Sequence, residues 1–420
     1  MQEYFSEASF QRVSAFWCVL LIIGLFVAEW VRILPSVGVA GLFLTSTIYA
    51  YKHPDAVRNR QYLPYLSLTG VFGLHIFSAL ARGSLSDSLV RQDLVLQSPF
   101  LLLPIAFSLL PNWLIRYKQC LWLLLIGCCL FSALGATINY LLHSQQIEKI
   151  YLQSKVMPTE PDHIRFSLLI SIAVIVGLVM LIREGDSLSF LKRVLIPIAI
   201  ILLFLFQHLL AVRSGLVSMY VAGMAWIGWL GIQMRYWKAV LTILTSAFLL
   251  AGISLLFFPT LQNKIINTRS DTEQIAIVQS ANNYSVTARV YSYEVASVII
   301  RQHPWLGVGK IGLANKMAIE YSYMFPEIES DRYVLPHNQF IYNLAAYGII
   351  GLIIFLISFY YPVLYALRRG KILFLLIYLI VSLSFLVEYT LESHIGLLIS
   401  IFFALLSLAP EEGDSTKYRV

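Results

Sequence analysis

Three arginines could together bind an anion. Arg165 lies just inside an apolar run, Arg213 occupies a short turn between two apolar runs, and Arg289 lies in a polar segment with helical spacing. Arginine near or within a bilayer is energetically expensive and seldom without a role. Because the planar guanidinium matches phosphate oxygens, three arginines at one membrane depth favour a lipid-linked phosphate or diphosphate. For each arginine alone, interfacial snorkelling or pairing with a nearby carboxylate is an equally good explanation.

His337 is a candidate general base. It follows Pro336 at the start of an apolar helix, where the positive end of the helix dipole favours the neutral ring that a base requires. Residues 337, 341, 344, 348 and 351 fall on one stripe of this helix, and Gly348 and Gly351 have no side chain. The stripe predicts a histidine above a groove about 20 Å long, which could admit a neighbouring helix or an isoprenoid tail. A histidine packed at the membrane interface is the alternative interpretation.

Other polar side chains give weaker signals. Glu388 and Glu392 have the spacing of neighbours on a helix, and we predict that they lie at its solvated end. Gly307-x-Gly309-x-x-Gly312 matches the dinucleotide-binding string, but it follows no strand and opens no βαβ unit, so we predict a glycine turn there. The sequence has neither histidines at metal-binding spacing with a carboxylate nor paired carboxylates at the outer edge, which argues against a metal-dependent transferase.

The elements that position these residues must lie in a membrane. Of the 420 residues, 58% are hydrophobic and only 13% are charged, with a mean hydropathy of +0.74, whereas roughly a quarter of the residues in a soluble chain are charged. The net charge of +7 comes from basic turns between apolar runs, so it indicates topology rather than binding of nucleic acid. The four cysteines lie in or beside apolar runs and are predicted to pack there.

Apolar length predicts an all-α polytopic membrane protein with about twelve transmembrane helices. The first apolar run lacks a small-residue cleavage site, so we predict a span rather than a signal peptide. If both termini lie inside, every interior turn carries several Lys or Arg, as the positive-inside rule requires. The predicted spans are 13–31, 34–51, 62–81, 98–114, 119–142, 164–182, 193–212, 215–233, 239–258, 337–367, 372–390 and 393–409.

The polar segment 259–336 is too long for a connector, and this topology places it outside. Apolar residues at helical spacing predict an amphipathic helix over 285–302, which His303-Pro304-Trp305-Leu306-Gly307 ends by turn chemistry. A second short helix is predicted around 313–323. The predicted organisation is transmembrane helices one to nine in 1–258, an outer loop in 259–336, helices ten to twelve in 337–410, and an inner tail in 411–420.

Three segments carry a family resemblance. His337-Asn338, nine residues and Gly348-Ile-Ile-Gly351 resembles the His-Asn-x9-Gly-x-x-Gly pattern of the O-antigen ligase and polymerase superfamily. The turn that begins at Arg213 resembles the Arg-Ser-Gly turn of that family. The segment from Arg289 to residue 309 is similar to its arginine-containing loop helix, which ends in His-Pro-x-x-Gly-x-Gly. The resemblance covers roughly residues 160–355 by motif and the whole chain by topology.

The resemblance implies a GT-C-type glycosyltransferase of the bacterial inner membrane. Such an enzyme transfers O-antigen from undecaprenyl diphosphate to a sugar hydroxyl of lipid A–core on the periplasmic face. It implies that His337 is the general base and that Arg213 and Arg289 hold the diphosphate; Arg165 is added from its position. Asn338, Gly348 and Gly351 support the site. The partners are then the lipid-linked donor, the lipid A–core acceptor and membrane lipids, without nucleic acid, cofactor or metal.

Three alternatives stay open. A Wzy-type O-antigen polymerase uses the same donor but a lipid-linked glycan as acceptor, and a protein O-glycan ligase uses a protein hydroxyl. The polymerase usually has a second arginine-rich exterior loop, whereas segment 144–162 here is short and nearly neutral, which favours the ligase. A transporter of a charged lipid would need cations along the bilayer, and here they lie at its outer edge.

Overall fold

The computed structural model describes residues 6–58, 61–81, 87–112, 115–152, 156–184, 188–234 and 237–409. Within these ranges every regular element is a helix, so the all-α prediction is confirmed there. The predicted inner tail, residues 411–420, lies outside the described residues, as do several residues of the predicted basic turns: Arg60, Arg82, Lys155 and Arg235.

The helices before residue 160 form the first half of the bundle. Leucine-rich and aromatic sequences without charge favour the helix in lipid, because every backbone polar group is then satisfied within the segment. In chain order they are α1 (Glu7–Val27), α2 (Leu34–Lys52), α3 (Pro54–Arg58), α4 (Leu63–Leu66), α5 (Thr69–Ala81), α6 (Ser88–Gln97), α7 (Pro99–Leu109), α8 (Ile115–Leu142) and α9 (Ser144–Leu152).

The helices after residue 160 carry the candidate site. They are α10 (His163–Glu184), α11 (Phe190–Leu210), α12 (Arg213–Met234), α13 (Trp237–Phe257), α14 (Pro259–Glu273), α15 (Ser285–Gln302), α16 (Lys310–Met324), α17 (Gln339–Arg368), α18 (Ile372–Phe385) and α19 (His394–Leu408). The predicted amphipathic helix over 285–302 is therefore confirmed as α15, and the second short helix is confirmed as α16.

Each predicted span overlaps helix in the described part of the chain, but the predicted 13–31, 98–114 and 372–390 extend beyond α1, α7 and α18, and 62–81 is divided between α4 and α5. Nine described segments are long and apolar enough to cross a membrane. α13 and α14 form a further candidate, which is bent by 90° where α14 begins. α18 and α19 are apolar but shorter, at 14 and 15 residues. The number of helices that cross the bilayer therefore stays a prediction.

α10 is the most enclosed candidate span, with 78% of its apolar window buried. It packs against α8, α11, α12, α18 and α19, so its first turn is fixed relative to all of them. α12 approaches it closely at Gly215, where an added Cβ would lie 2.5 Å from the Cβ of Ser167. The Ser171 hydroxyl donates to the Gly215 carbonyl at 3.0 Å. The glycine of the Arg-Ser-Gly turn thus brings the start of α12 against the start of α10.

α17 is broken at Gly348, whose φ of 68° and ψ of −171° interrupt the helix. The break frees the carbonyls of Ala345 and Ala346, which accept from the amides of Val308 and Gly309 at 3.0 and 2.7 Å. It also frees the next amides, of residues 349 and 350, which donate to the carbonyls of residues 304 and 305 at 2.8 and 3.3 Å. The turn after α15 therefore supplies the hydrogen bonds that the interrupted helix lacks.

The groove predicted along the stripe that contains Gly348 and Gly351 is partly filled by backbone. A Cβ on Gly348 would lie 2.3 Å from the Trp305 carbonyl carbon, so this position is occupied by backbone. Gly351 instead lines an apolar cavity of about 230 Å³ between α5, α17 and the turn at Gly307. The prediction of a continuous open groove below His337 is therefore wrong, because the turn that contains Trp305 fills the part of the groove at Gly348.

Candidate active site

His337 lies just before α17 and is held by a carboxylate. Its Nδ1 is 2.9 and 3.1 Å from the two carboxylate oxygens of Glu388. Because an ionised carboxylate only accepts hydrogen bonds, Nδ1 carries the hydrogen and a neutral ring keeps its Nε2 as an acceptor. The hydroxyl of Tyr293, on α15, donates to the His337 carbonyl at 2.9 Å. The arrangement is that of an oriented general base.

Asn338 fixes the backbone next to this histidine. It is the N-cap of α17, and its side-chain oxygen accepts from the amides of Phe340 and Ile341 at 2.9 and 3.1 Å. Its Nδ2 donates to the Leu386 carbonyl at 3.1 Å, which ties the start of α17 to the segment that carries Glu388. The capping side chain of Asn338 therefore fixes the backbone that carries the candidate base His337.

Glu388 was not identified as part of a site by its sequence. The prediction of a solvated helix end is wrong for both glutamates, because the segment between α18 and α19 packs inward and leaves their side chains only 8% and 7% exposed. Burial alone would raise the pKa of Glu388, but the hydrogen bond from His337, and then the charges of Arg289 and Arg165, hold that pKa below its usual value. The Arg289 guanidinium is 3.6 Å from Glu388.

A cavity of about 610 Å³ brings the predicted arginines Arg213 and Arg289 together. Arg213 begins α12 and donates to the Thr268 hydroxyl at 3.1 Å. Three helices begin at this cavity, α10, α12 and α15, and the N-terminal end of a helix favours an anion. The lining residues are Val156, His163, Ile164, Val212, Arg213, Ser214, Lys264, Ser285, Arg289, Val387 and Glu388.

Lys264, on α14, is a third cation of this cavity and carried no signal in the sequence. It is only 7% exposed. Burial, and then the positive charges of Arg213 and Arg289, lower its pKa to about 8, against a smaller opposite effect of Asp271. Its position follows from the fold alone, in which α14 packs against α9, α11, α13 and α15.

Asp271 aligns the two helices that carry Lys264 and Arg289. It is fully buried on α14, and its carboxylate accepts from the amides of Val286 and Thr287 at 2.7 and 3.0 Å and from the Thr287 hydroxyl at 2.9 Å. A carboxylate on the first amides of α15 satisfies donors that the helix cannot satisfy itself. The two cations are thus placed by one buried cap.

Arg165 lies elsewhere. Its Nη1 donates to Asp162 at 2.9 Å, and it lines a neighbouring cavity of about 580 Å³ together with Glu29, Arg32 and His394. The first turn of α10 stands between the two cavities, because His163 and Ile164 line the first and Asp162 and Arg165 line the second. The structure therefore does not bring Arg165 into the cavity of Arg213 and Arg289, and its binding of diphosphate stays a prediction.

A second buried charge cluster supports the segment that carries Glu388. The ammonium of Lys310, at the start of α16, contacts the carboxylates of Asp93 and Glu392. Asp93 also accepts from His75 at 2.9 Å, and Gln339 donates to Glu392 at 3.2 Å. Lys310 belongs to the predicted glycine turn, which positions this lysine rather than a nucleotide. The cluster fixes the 386–393 segment against α6, α16 and α17.

Metal binding has no obvious location in the described ranges. Among those residues no group of three or more His, Cys, Asp or Glu side chains is arranged to hold an ion. The metal-independent reaction stays a prediction.

Comparison with known proteins gives one match. No curated protein matches the chain. A family model described as O-antigen ligase matches residues 198–356. The matched segment contains Arg213, Lys264, Arg289 and His337, and it extends through the break of α17 at Gly348. Over this segment, which is less than half of the 420 residues, the chain is similar to the O-antigen ligase family.

Proposed function

We propose that this protein is an O-antigen ligase of the bacterial inner membrane. The observation that carries the proposal is a single cavity that holds Arg213, Arg289 and Lys264, with Glu388 in its wall and His337 hydrogen-bonded to that carboxylate. Such a cavity suits a glycan linked to a lipid diphosphate. Both termini are then cytoplasmic, and the cavity faces the periplasm.

The donor must bring its own activation, because the periplasm has no nucleotide sugars. Undecaprenyl diphosphate is a good leaving group, and guanidinium and ammonium charges stabilise the negative charge that develops as it departs. The glycosyl carbon–oxygen bond breaks, and its electron pair stays on the diphosphate oxygen. The cations are preorganised for this charge by α12, α14 and α15.

His337 completes the reaction from the acceptor side. Its Nε2 takes the proton of the acceptor hydroxyl while the hydroxyl oxygen bonds to the anomeric carbon. Glu388 holds Nδ1 and stabilises the imidazolium that forms, as a carboxylate does in a catalytic triad. A base opposite the leaving group gives in-line displacement with inversion.

The acceptor is a sugar hydroxyl of lipid A–core. We assign the entry of the acceptor lipid to the cavity lined by Arg165, which is also lined by Glu29, Arg32 and Asp162 and by the apolar Leu25 and Phe26. Positively and negatively charged side chains beside apolar ones suit a lipid whose headgroup is a sugar. The first turn of α10 then separates donor and acceptor.

The proposal is tested with purified protein in lipid nanodiscs, lipid-linked O-antigen, lipid A–core and EDTA. We expect transfer to persist with EDTA and to be lost in His337→Ala, with an α-linked donor giving a β-linked product or the reverse. Loss of transfer with EDTA, or full transfer by His337→Ala, would overturn the mechanism.

The acceptor class is tested in cells. Deletion of a ligase leaves core lipid without O-antigen, whereas deletion of a polymerase leaves core lipid with one O-antigen unit. Unchanged lipopolysaccharide together with loss of glycan from a protein would instead identify a protein O-glycan ligase.

A further inference from the structure

Lys264 is a buried cation that forms no salt bridge within the part of the chain that the structure describes. It lines the cavity, is 7% exposed, and its ammonium makes no ion pair with any of the described residues. An unpaired buried charge is costly, so proteins normally pair it with a carboxylate or hydrogen-bond it fully. Here the charge is retained beside two guanidinium groups, Arg213 and Arg289, that repel it. Replacing a lysine that does not stabilise the fold with an apolar residue would cost little free energy of unfolding. The presence of Lys264 therefore indicates a role other than stability.

The carboxylates near Lys264 already have other partners. Asp271, on the same helix, accepts from the first amides of α15. Glu388 accepts from His337 and lies beside Arg289. Glu148, on α9, accepts from the Tyr140 hydroxyl at 2.9 Å. Among the described residues, the other charged or titratable side chains that line the cavity with Lys264 are His163 on α10, Arg213 on α12 and Arg289 on α15.

We propose that Lys264 is the third cationic ligand of the lipid diphosphate and supplies the positive charge that the two arginines leave incomplete. The inference deepens the proposed function, on which it rests. The cations Arg213, Lys264 and Arg289 together with Glu388 leave an excess of positive charge in the cavity. That excess matches a diphosphate diester, and one further negative charge appears when the glycan leaves. The lysine is thus paired only when donor or product is bound.

Binding then takes up a proton. Burial and the two guanidinium groups disfavour the ammonium of Lys264 and lower its pKa to about 8. A bound anion favours the ammonium and raises this pKa. Affinity for diphosphate is therefore fully present below about pH 8 and falls as the pH rises through that value. Arg213 and Arg289 stay charged over this range and contribute no such dependence.

The test is isothermal titration of the full-length protein in nanodiscs with a short-chain isoprenyl diphosphate, at about pH 7 and about pH 9, on either side of the lysine pKa. We expect the wild type to bind roughly tenfold more weakly at the higher pH. Lys264→Met loses about tenfold in affinity at pH 7 and loses the pH dependence. Lys264→Arg keeps the affinity at both values, because arginine stays charged.

Two controls separate binding from folding. Lys316→Met removes a lysine on α16 that pairs with Glu320 at 3.0 Å outside the cavity, and should change neither affinity nor its pH dependence. The melting temperature of empty Lys264→Met should equal or exceed that of the wild type, since an uncompensated charge is removed. A structural lysine would instead lower it, and that result would overturn the proposal.

The same titration distinguishes a failure of the proposed role of Lys264 from a failure of the proposed function. If Arg213→Ala and Arg289→Ala lose affinity while Lys264→Met binds like the wild type at both pH values, the role of Lys264 is overturned and the proposed function stands. If the wild type does not bind isoprenyl diphosphate, or binds it equally after loss of both arginines, the diphosphate site and the proposed function fail together.

Discussion

Glu388 links the proposed base to one of the proposed phosphate-binding cations, since it accepts from His337 at 2.9 Å and lies 3.6 Å from Arg289. The first contact sets the hydrogen position on the imidazole, and the second compensates part of the positive charge in the cavity. Its pKa is below the usual value despite burial, because His337 and Arg289 favour the carboxylate. The pair is therefore intact at neutral pH and is lost only as the pH falls through that lowered pKa.

The substitution Glu388→Gln should affect kcat through the contact with His337 and the donor KM through the contact with Arg289. The amide keeps the size of the side chain but cannot stabilise imidazolium, so we expect kcat to fall by roughly 10²–10⁴. The KM for the lipid-linked donor should stay the same or fall, because a negative charge leaves the cavity that we propose for the diphosphate. Steady-state transfer assays with each substrate varied would measure both constants.

Glu320→Gln is the matched control, since Glu320 also pairs with a cation but lies on α16 outside the cavity. It should leave both constants unchanged. A severalfold increase in donor KM with unchanged kcat in Glu388→Gln would contradict the role of Glu388 as the orienting partner of His337.

The sequence predicts single residues well where chemistry and position coincide. Arg213 and Arg289 are expensive near a bilayer, and the structure places both in one cavity. His337 has a recognisable place before a helix, but the acid that holds it lies 51 positions further on and is fixed by packing. Lys264 shows the same limit, because nothing local distinguishes a buried lysine on α14 from a solvated one.

At the level of elements, the break of α17 should be sensitive to a single methyl group. Gly348 has a φ of 68°, and a Cβ there would lie 2.3 Å from the Trp305 carbonyl carbon. Gly348→Ala must strain the backbone and displace the turn that satisfies four freed backbone groups. We expect a loss of about 3 kcal/mol of stability, measured as a lower melting temperature in detergent.

Gly312→Ala is the control for this substitution. Gly312 lies in α16, and a Cβ there would meet no atom within 4 Å. Alanine in the interior of a helix stabilises it by roughly 0.5–1 kcal/mol relative to glycine, so the melting temperature should rise slightly. Equal melting temperatures for wild type and Gly348→Ala would show that the inserted turn is not required.

The helices themselves follow from periodicity and length, and α15 begins and ends where its apolar spacing predicts. The break at Gly348 does not follow, because the helical pattern continues across it on both sides. Its cause is tertiary: the turn from residue 304 to 309 enters the helix and replaces its hydrogen bonds. The spacing of Gly348 and Gly351 predicts a groove on this helix, but it does not predict that the turn from residue 304 to 309 fills the groove at Gly348.

For the whole molecule, lipid restricts the possible architectures so strongly that hydropathy predicts most of the fold. Only helices and closed barrels satisfy their backbone groups in hydrocarbon, and in the described part of the chain each predicted apolar run overlaps a helix. Hydropathy does not predict how the polar helices α14, α15 and α16 pack on the bundle. α14, α15 and α16 are placed by buried contacts such as Asp271 and Lys310, whose partners are distant in sequence.

The proposed orientation puts Arg301 and Arg369 on opposite sides of the membrane. Arg301 is exposed near the end of α15, and Arg369 is exposed directly after α17. In a background in which Cys18, Cys120, Cys128 and Cys129 are replaced, Arg301→Cys should react with a membrane-impermeant maleimide in spheroplasts. Arg369→Cys should react only after permeabilisation, because basic residues after a span are retained inside.

The two labelling patterns together decide the side on which the cavity opens. Arg301 lies on the same helix as Arg289, so its label reports the side of the membrane on which the cavity of Arg213 and Arg289 lies. Labelling of Arg369→Cys in intact spheroplasts, with Arg301→Cys protected, would place the cavity in the cytoplasm. Nucleotide sugars are available there, and the chemical reason for a lipid diphosphate donor would be lost. The expected pattern keeps the cations, His337 and the incoming lipids on one side, as transfer between two membrane-anchored substrates requires.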